Sequence, residues 1–278
     1  MKLKPKLVIV AGDVNSTMAC AITAKKLNIS VAHVEAGLRS FDSKMPEEIN
    51  RILTDHISDI LFTTEKSANI NLINEGIVKE KIYFVGNCMI DSVRKYIKYT
   101  DKINLFDKYN IQKNKYCLVT LHRPSNVDSE RNLIKYVDML NIMSKKIKII
   151  FPVHPRTRIV LKKIGIKLNH KILLLNPLPY IEFLSLINNA RLILTDSGGI
   201  QEETTYLGIQ CMTIRENTER PITIEKGTNH LVGTNTNNIM KVFNDIIDGK
   251  DKKGTIPSNW DGHSSVRITE IIKEFLSR

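Results

Sequence analysis

Thr195-Asp196-Ser197-Gly198-Gly199-Ile200-Gln201-Glu202-Glu203, with Arg215-Glu216-Asn217-Thr218-Glu219-Arg220-Pro221 after it, decides how this chain folds. The stretch follows Arg191-Leu192-Ile193-Leu194, a short apolar run of the kind that forms a buried parallel strand. Asp196 and Ser197 are suited to cap a helix, and Gly198 and Gly199 let a ligand approach the backbone. Strand, glycine turn and helix N-terminus together present free N–H groups and a positive dipole end to an anion. Glu203, inside the helix, is placed to grip a ribose by its hydroxyls, and Arg220 to answer a phosphate with two hydrogen bonds. An ordinary capped helix explains Ser-Gly-Gly alone equally well, since a short glycine motif is weak evidence. The arginine-bearing segment at the end of the next strand favours the ligand-binding reading.

Upstream, the same grammar repeats. Leu7-Val8-Ile9-Val10-Ala11 reads as a central parallel strand flanked on both sides, ending at Gly12-Asp13, with a helix from Asn15 to about Leu27. Val31-Ala32-His33-Val34 delivers Glu35, Pro46-Glu47-Glu48 opens a helix with proline in its first turn, and strands follow at Ile60–Thr64 and Ile82–Gly86. Four strands before Thr100 and about six after it, alternating with helices, make an α/β protein with parallel sheets. Ligands bind beyond the carboxyl ends of such strands. Asp13, Glu35 and the Glu47/Glu48 pair fall there, and His122-Arg123 and His154 end two strands of the second half. Carboxylates gathered on one rim cost energy unless acid, base or cationic partners are needed there. Each has a plainer alternative: Asp13 as a helix cap, Glu47 as a first-turn charge, His122 in a surface turn.

These segments resemble the non-hydrolysing UDP-N-acetylglucosamine 2-epimerases over nearly the whole chain. Gly12-Asp13 is similar to that family's His-Gly-Asp-Thr, His33 to Arg39 to its His-Val-Glu-Ala-Gly-Leu-Arg, and Pro46 to Arg51 to its Pro-Glu-Glu-x-Asn-Arg. His122 to Asn126 resembles its His-Arg-x-Glu-Asn, and Asp196 to Glu203 with Arg215 to Pro221 its nucleotide-binding segment. The resemblance implies two Rossmann-like domains of GT-B type with a cleft between them. It implies Asp13, Glu35, Glu47 and His122 as catalytic residues. Arg51, Arg123, His154, Ser197, Gly198, Gly199, Glu203 and Arg220 would bind substrate and UDP. The reaction implied is reversible inversion at C2 of UDP-N-acetylglucosamine, by elimination and re-addition of UDP, for cell-surface polysaccharide precursors. Neither metal nor nicotinamide cofactor is needed, and a homodimer is expected.

The chain departs from the pattern at Ala11, Val14, Ser125 and Gln210. It also shows no counterpart of a preceding stretch that carries a Gly-Thr-Arg-Pro-Glu loop, so the first domain reads as incomplete. The division expected is a partial first domain over 1–100, a UDP-binding domain over 101–262 and a helix over 263–278 packing back on the first. A hydrolysing epimerase, a GT-B glycosyltransferase and an inactive UDP-binding remnant remain as alternatives.

Composition agrees with a soluble, cytoplasmic protein. Of 278 residues 42% are hydrophobic and 25% charged, enough apolar material for buried cores. The net charge of +12 is scattered lysine, compatible with an anionic substrate. No basic run with interleaved aromatics suggests a nucleic-acid partner, and no apolar run reaches the length of a membrane span. Cys20, Cys88, Cys117 and Cys211 lie far apart without metal-ligand spacing and read as reduced and structural.

Overall fold

The computed structural model describes residues 4–127 and 129–277. Strands and helices alternate from the start: β1 (Leu7–Ala11), α1 (Asn15–Lys26), β2 (Ser30–Ala36), α2 (Pro46–Ile57), β3 (Ile60–Thr63), α3 (Lys66–Asn74), β4 (Ile82–Phe84) and α4 (Cys88–Tyr96). A short α5 (Leu105–Lys108) precedes β5 (Tyr116–Thr120), α6 (Pro124–Val127), α7 (Glu130–Met143), β6 (Lys148–Pro152), α8 (Pro155–Ile164) and β7 (Ile172–Leu175). The remainder is α9 (Tyr180–Asn188), β8 (Leu192–Thr195), α10 (Gly198–Leu207), β9 (Gln210–Thr213), α11 (Pro221–Glu225), β10 (Asn229–Leu231), α12 (Thr236–Ile247) and α13 (Ser264–Ser277). Among the described residues no helix is long and apolar enough to cross a membrane.

Two parallel sheets form among these residues, ordered β1-β2-β3-β4 and β10-β9-β8-β5-β6-β7. One compact unit comprises the chain as far as Ser92, Thr218–Ile222 and the chain from Pro257; the other comprises Val93–Asn217 and Thr223–Ile256. In the second unit the chain winds outward from β5 through β6 to β7, then returns beside β5 as β8 and winds the other way through β9 to β10. Connections therefore leave β5 and β8 in opposite directions, and a crevice opens at their carboxyl ends. Register sets Thr120 against Thr195, whose hydroxyls lie 2.7 Å apart.

The apolar strands of the second sheet are explained by burial on both faces. Cys117 and Val119 join the core beneath α7 and α12, while Tyr116 and Leu118 join the one beneath α9 and α10. Sealing each such side chain from water stabilises the fold by roughly 1.5–3 kcal/mol. In the first sheet Val8 and Val10 pack with Ala21 and Ala24 of α1. Ile268, Ile271, Ile272 and Phe275 of α13, spaced as one helical stripe, cover the opposite face with Leu7, Ala32 and Phe62. Both carboxylate oxygens of Asp91 accept from the first N–H groups of α13, at Ser264 (3.0 Å) and Ser265 (2.7 Å). Buried Trp260 ties the approach to that helix down by donating to the Thr64 carbonyl at 2.9 Å.

Among the described residues β1 stands at the edge of its sheet. Val10 is 6% exposed against α1, whereas Ile9, pointing the other way, is 54% exposed.

Candidate functional site

The first unit gathers Asp13, Glu35, Glu47, Arg51 and Arg220. Asp13 follows β1 and Glu35 ends the neighbouring β2, with Ala11 registered on Val34. Arg51 of α2, almost wholly buried, donates from Nε to Asp13 Oδ2 (3.0 Å), and its Nη2 lies 2.9 Å from the same oxygen. Its Nη1 is bonded to Glu48. Asp13 Oδ1 is left without a hydrogen bond among the described residues. Asn50 Nδ2 donates to the Asp13 carbonyl at 2.8 Å, which ties α2 to the loop after β1. The helix-cap reading of Asp13 is therefore not met: Val14 occupies the N-cap of α1, and the Asp13 carboxylate turns to Arg51.

The Glu47/Glu48 pair divides its labour. Glu48 is buried and accepts from the Ser40 and Phe41 N–H groups as well as Arg51, so it shapes the loop. Glu47 sits half-buried in the first turn of α2 with no hydrogen bond among the described residues, so its carboxylate is available for chemistry. Glu35 has φ +71°, a left-handed conformation rare for a residue with a side chain, where the register of β2 on β3 shifts between Val34 and Ala36. Such a bulge costs about 1–3 kcal/mol and re-aims one side chain. Here that side chain is a carboxylate whose Oε2 lies 3.9 Å from Arg220 Nη2. Arg220, which the sequence reading groups with the nucleotide loop, belongs to the first unit and also pairs with Glu219.

Beneath this rim runs a buried charge relay. His33 Nδ1 lies 2.6 Å from Asp55 Oδ1 and its Nε2 2.9 Å from the Gly12 carbonyl. The ring thus bridges the Asp55 carboxylate and the Gly12 carbonyl and holds the Gly12-Asp13 turn in place. Burial pushes Asp55 up, but His33 and then Arg39 outweigh it and hold the carboxyl below its ordinary range. Asp55 Oδ2 also accepts from the Gly37 N–H at 3.1 Å. A Cβ at Gly37, where φ is +78°, would stand 2.5 Å from the Ala68 carbonyl oxygen, so only glycine fits.

In the second unit the β5/β8 switch point is organised by Asp196. Its buried carboxylate accepts from the backbone N–H of His122 (3.1 Å) and Arg123 (3.0 Å) and from Asn126 Nδ2 (2.9 Å). His122 Nδ1 lies 2.7 Å from Asp196 Oδ1, while more than half of the His122 side chain is open to solvent. Burial pushes Asp196 up, but His122, Asn126 and the Arg123 N–H hold it below the ordinary range. Arg123 Nε donates to the Asp196 carbonyl at 3.1 Å, which ties the rest of the guanidinium to the same turn.

Neither expected cap of α10 acts as one. Asp196 is engaged by the loop after β5, and Ser197, at the N-cap position, makes no side-chain cap hydrogen bond. Among the described residues, no side chain caps the helix start at Gly198 and Gly199. Further along α10, Glu203 is 3% exposed and its Oε1 accepts from the Tyr180 hydroxyl at 2.9 Å. Burial pushes the Glu203 carboxyl to about 7 against the pull of that hydrogen bond. His154, exposed after β6, shares with His122, Leu178 and Phe183 a recess of about 220 Å³.

Sequence reading alone named neither Asp196 as the partner of His122 nor Tyr180 as the partner of Glu203. Asp196 stood in the motif already, but its partner is 74 residues away. The one local signal was a carboxylate at the carboxyl end of an apolar strand.

With this geometry in hand, comparison with known proteins is direct. Residues 1–273 match the family model described as UDP-N-acetylglucosamine 2-epimerase. The chain belongs to that family. It is 46% identical to the UDP-N-acetylglucosamine 2-epimerase of Methanococcus maripaludis, over 98% of this chain and 76% of that one. It is 40% identical to the UDP-2,3-diacetamido-2,3-dideoxy-D-glucuronate 2-epimerase of Pseudomonas aeruginosa, over 98% and 76%. Among solved structures it is similar to Methanocaldococcus jannaschii UDP-GlcNAc 2-epimerase in complex with UDP-GlcNAc and UDP. That likeness has a TM-score of 0.86 at 44% identity and covers 97% of this chain and 77% of the other. The α/β fold with two Rossmann-like units is thus the GT-B-type fold of its family.

Proposed function

We propose that this chain inverts C2 of UDP-N-acetylglucosamine, giving UDP-N-acetylmannosamine. The observation that carries the reading is the rim of the first unit. Three carboxylates stand at neighbouring strand and helix ends, with Arg51 paired to Asp13 and to the buried Glu48. One carboxylate takes the C2 proton as the C1–O bond to UDP breaks, leaving 2-acetamidoglucal and UDP. Return of a proton to the opposite face of C2, with attack of the UDP oxygen on C1, completes the inversion. Asp13, Glu35 and Glu47 are the acid and base candidates, and general acid–base groups of this kind contribute about 10²–10⁴-fold each.

In the second unit the start of α10, with Ser197, Gly198 and Gly199, receives the diphosphate. Glu203 takes the ribose, and His154 borders the recess for the base. His122, held by Asp196, and Arg123 act at the phosphate and sugar, and Arg220 at the anionic leaving group. Retaining UDP between the two half-reactions separates epimerisation from hydrolysis. The reading includes a homodimer at work in the cytoplasm on precursors of cell-surface polysaccharide, as the family resemblance suggests.

The test is proton exchange at C2. The purified chain is incubated with UDP-N-acetylglucosamine in deuterated water and the sugar followed by NMR. Deuterium at C2 with appearance of the manno epimer is the expected result. Free N-acetylmannosamine with UDP identifies a hydrolase instead, and UDP binding without exchange a nucleotide-binding protein. Because a family relative is named for a 2,3-diacetamido glucuronate, that nucleotide sugar is run beside the first.

A further inference from the structure

The pairing of Tyr180 with Glu203 has no place in the chemistry at C2. Glu203 is buried on α10, yet only one of its oxygens is occupied: Oε1 accepts from the Tyr180 hydroxyl, and Oε2 holds no hydrogen bond among the described residues. Tyr180 is itself fixed, its ring edge-on to Tyr96 with centroids 6.0 Å apart and an interplanar angle of 85°. From Gly198 to Glu203 the helix rises about 7.5 Å, a span comparable to that from a ribose diol to the diphosphate on its 5′ carbon. We infer that Tyr180 is a positioning residue, which orients the Glu203 carboxylate so that its free oxygen accepts the vicinal hydroxyls of a ribose, and that binding is coupled to loss of a proton from Glu203. This rests on the reading that α10 holds a uridine nucleotide.

The chemistry follows from the donors. A diol offers two O–H groups and needs an acceptor, so the bound state favours carboxylate over carboxylic acid. The unliganded group, by contrast, is kept half-protonated near neutral pH by burial. Elements packed on α10 bring Tyr180 and Glu182 from α9, Cys211 from β9 and His230 from β10, and Glu202 is its neighbour on α10. Of these, Tyr180 is the one hydrogen-bonded to the Glu203 carboxylate. Affinity therefore rises with pH as Glu203 ionises and levels off above its transition.

The experiment is calorimetric binding of UDP-glucose, whose diphosphate diester does not titrate near neutrality, between about pH 6 and 8.5. Titration in two buffers of different ionisation enthalpy counts the protons released. Wild type is expected to release about half a proton at pH 7, and Glu203→Gln to lose that release while any histidine-linked part persists. Tyr180→Phe is expected to bind ~10-fold more weakly at pH 7, with its transition moved to higher pH, because a donor to the charged form is gone. Tyr96→Phe, which keeps the edge-on packing, is expected to match wild type. Proton release unchanged in Glu203→Gln, or a Tyr180→Phe transition at the wild-type pH, would overturn the inference while leaving the nucleotide site intact. No UDP-glucose binding at any pH overturns the nucleotide reading itself.

Discussion

The turn before α10 and the body of α10 each bury a carboxylate, seven residues apart, with opposite results. Asp196 receives N–H donors from His122, Arg123 and Asn126 and lies beside the His122 ring, so it is held ionised. Glu203 receives a single hydroxyl and is pushed to about 7. Burial is common to both, so the number and charge of the donors decide the sign. The lesson extends to the first unit, where Arg51 holds Asp13 and Glu48 and leaves Glu47 half-buried without a hydrogen bond among the described residues.

The sharpest way to break the comparison is to neutralise groups that have few partners but face the rim. Asp13→Asn and Glu35→Gln are each expected to slow C2 deuterium exchange by about 10²–10⁴-fold while UDP binding, followed by calorimetry, stays near wild type. Unchanged exchange in both would move the chemistry elsewhere. Asp196→Asn comes next. An amide offers one acceptor where three N–H donors and His122 converge, so exchange is expected to fall by on the order of 10²-fold through misplacement of His122. Stability is expected to fall by about 1–3 kcal/mol in denaturant titrations. A variant that lost stability without losing exchange would make Asp196 a purely structural carboxylate.

Glu203→Gln tests the opposite sign. Because the folded-state pKa is raised, the folded protein holds this proton more tightly than the unfolded chain. The stability it contributes is complete below about pH 4.5 and is lost as pH rises to about 7. At pH 8 the variant is therefore expected to be more stable than wild type by as much as about 3 kcal/mol, and at pH 4.5 no more stable. An equal difference at both pH values would refute the assignment. The smallest effect is expected at Ser197→Ala. A working N-cap is worth about 0.5–2 kcal/mol, but Ser197 makes no cap hydrogen bond, so thermal stability should barely move while UDP affinity reports any contact with the ligand.

Much of this was legible in the residues themselves. Runs such as Tyr116–Leu121 and Leu192–Thr195 announce strands buried on both faces, and Gly198-Gly199 announces a helix start that an anion can approach. Asp13, Glu35, Glu47 and His122 could be placed at the carboxyl ends of strands or the start of a helix from periodicity alone, because side-chain direction and element length are local properties. What folding decided were the partnerships. Asp196 meets His122 because β8 lies beside β5 rather than beside β7, its predecessor in sequence. Arg51 takes Glu48 and not Glu47 because Glu48 shares the buried face of α2 with it while Glu47 is only half-buried. Tyr180 reaches Glu203 because α9 and α10 pack on one face of the sheet. Strand order and helix contact join segments far apart in the chain, and no local pattern encodes them; that is why the charge state of each buried carboxylate belongs to the tertiary structure.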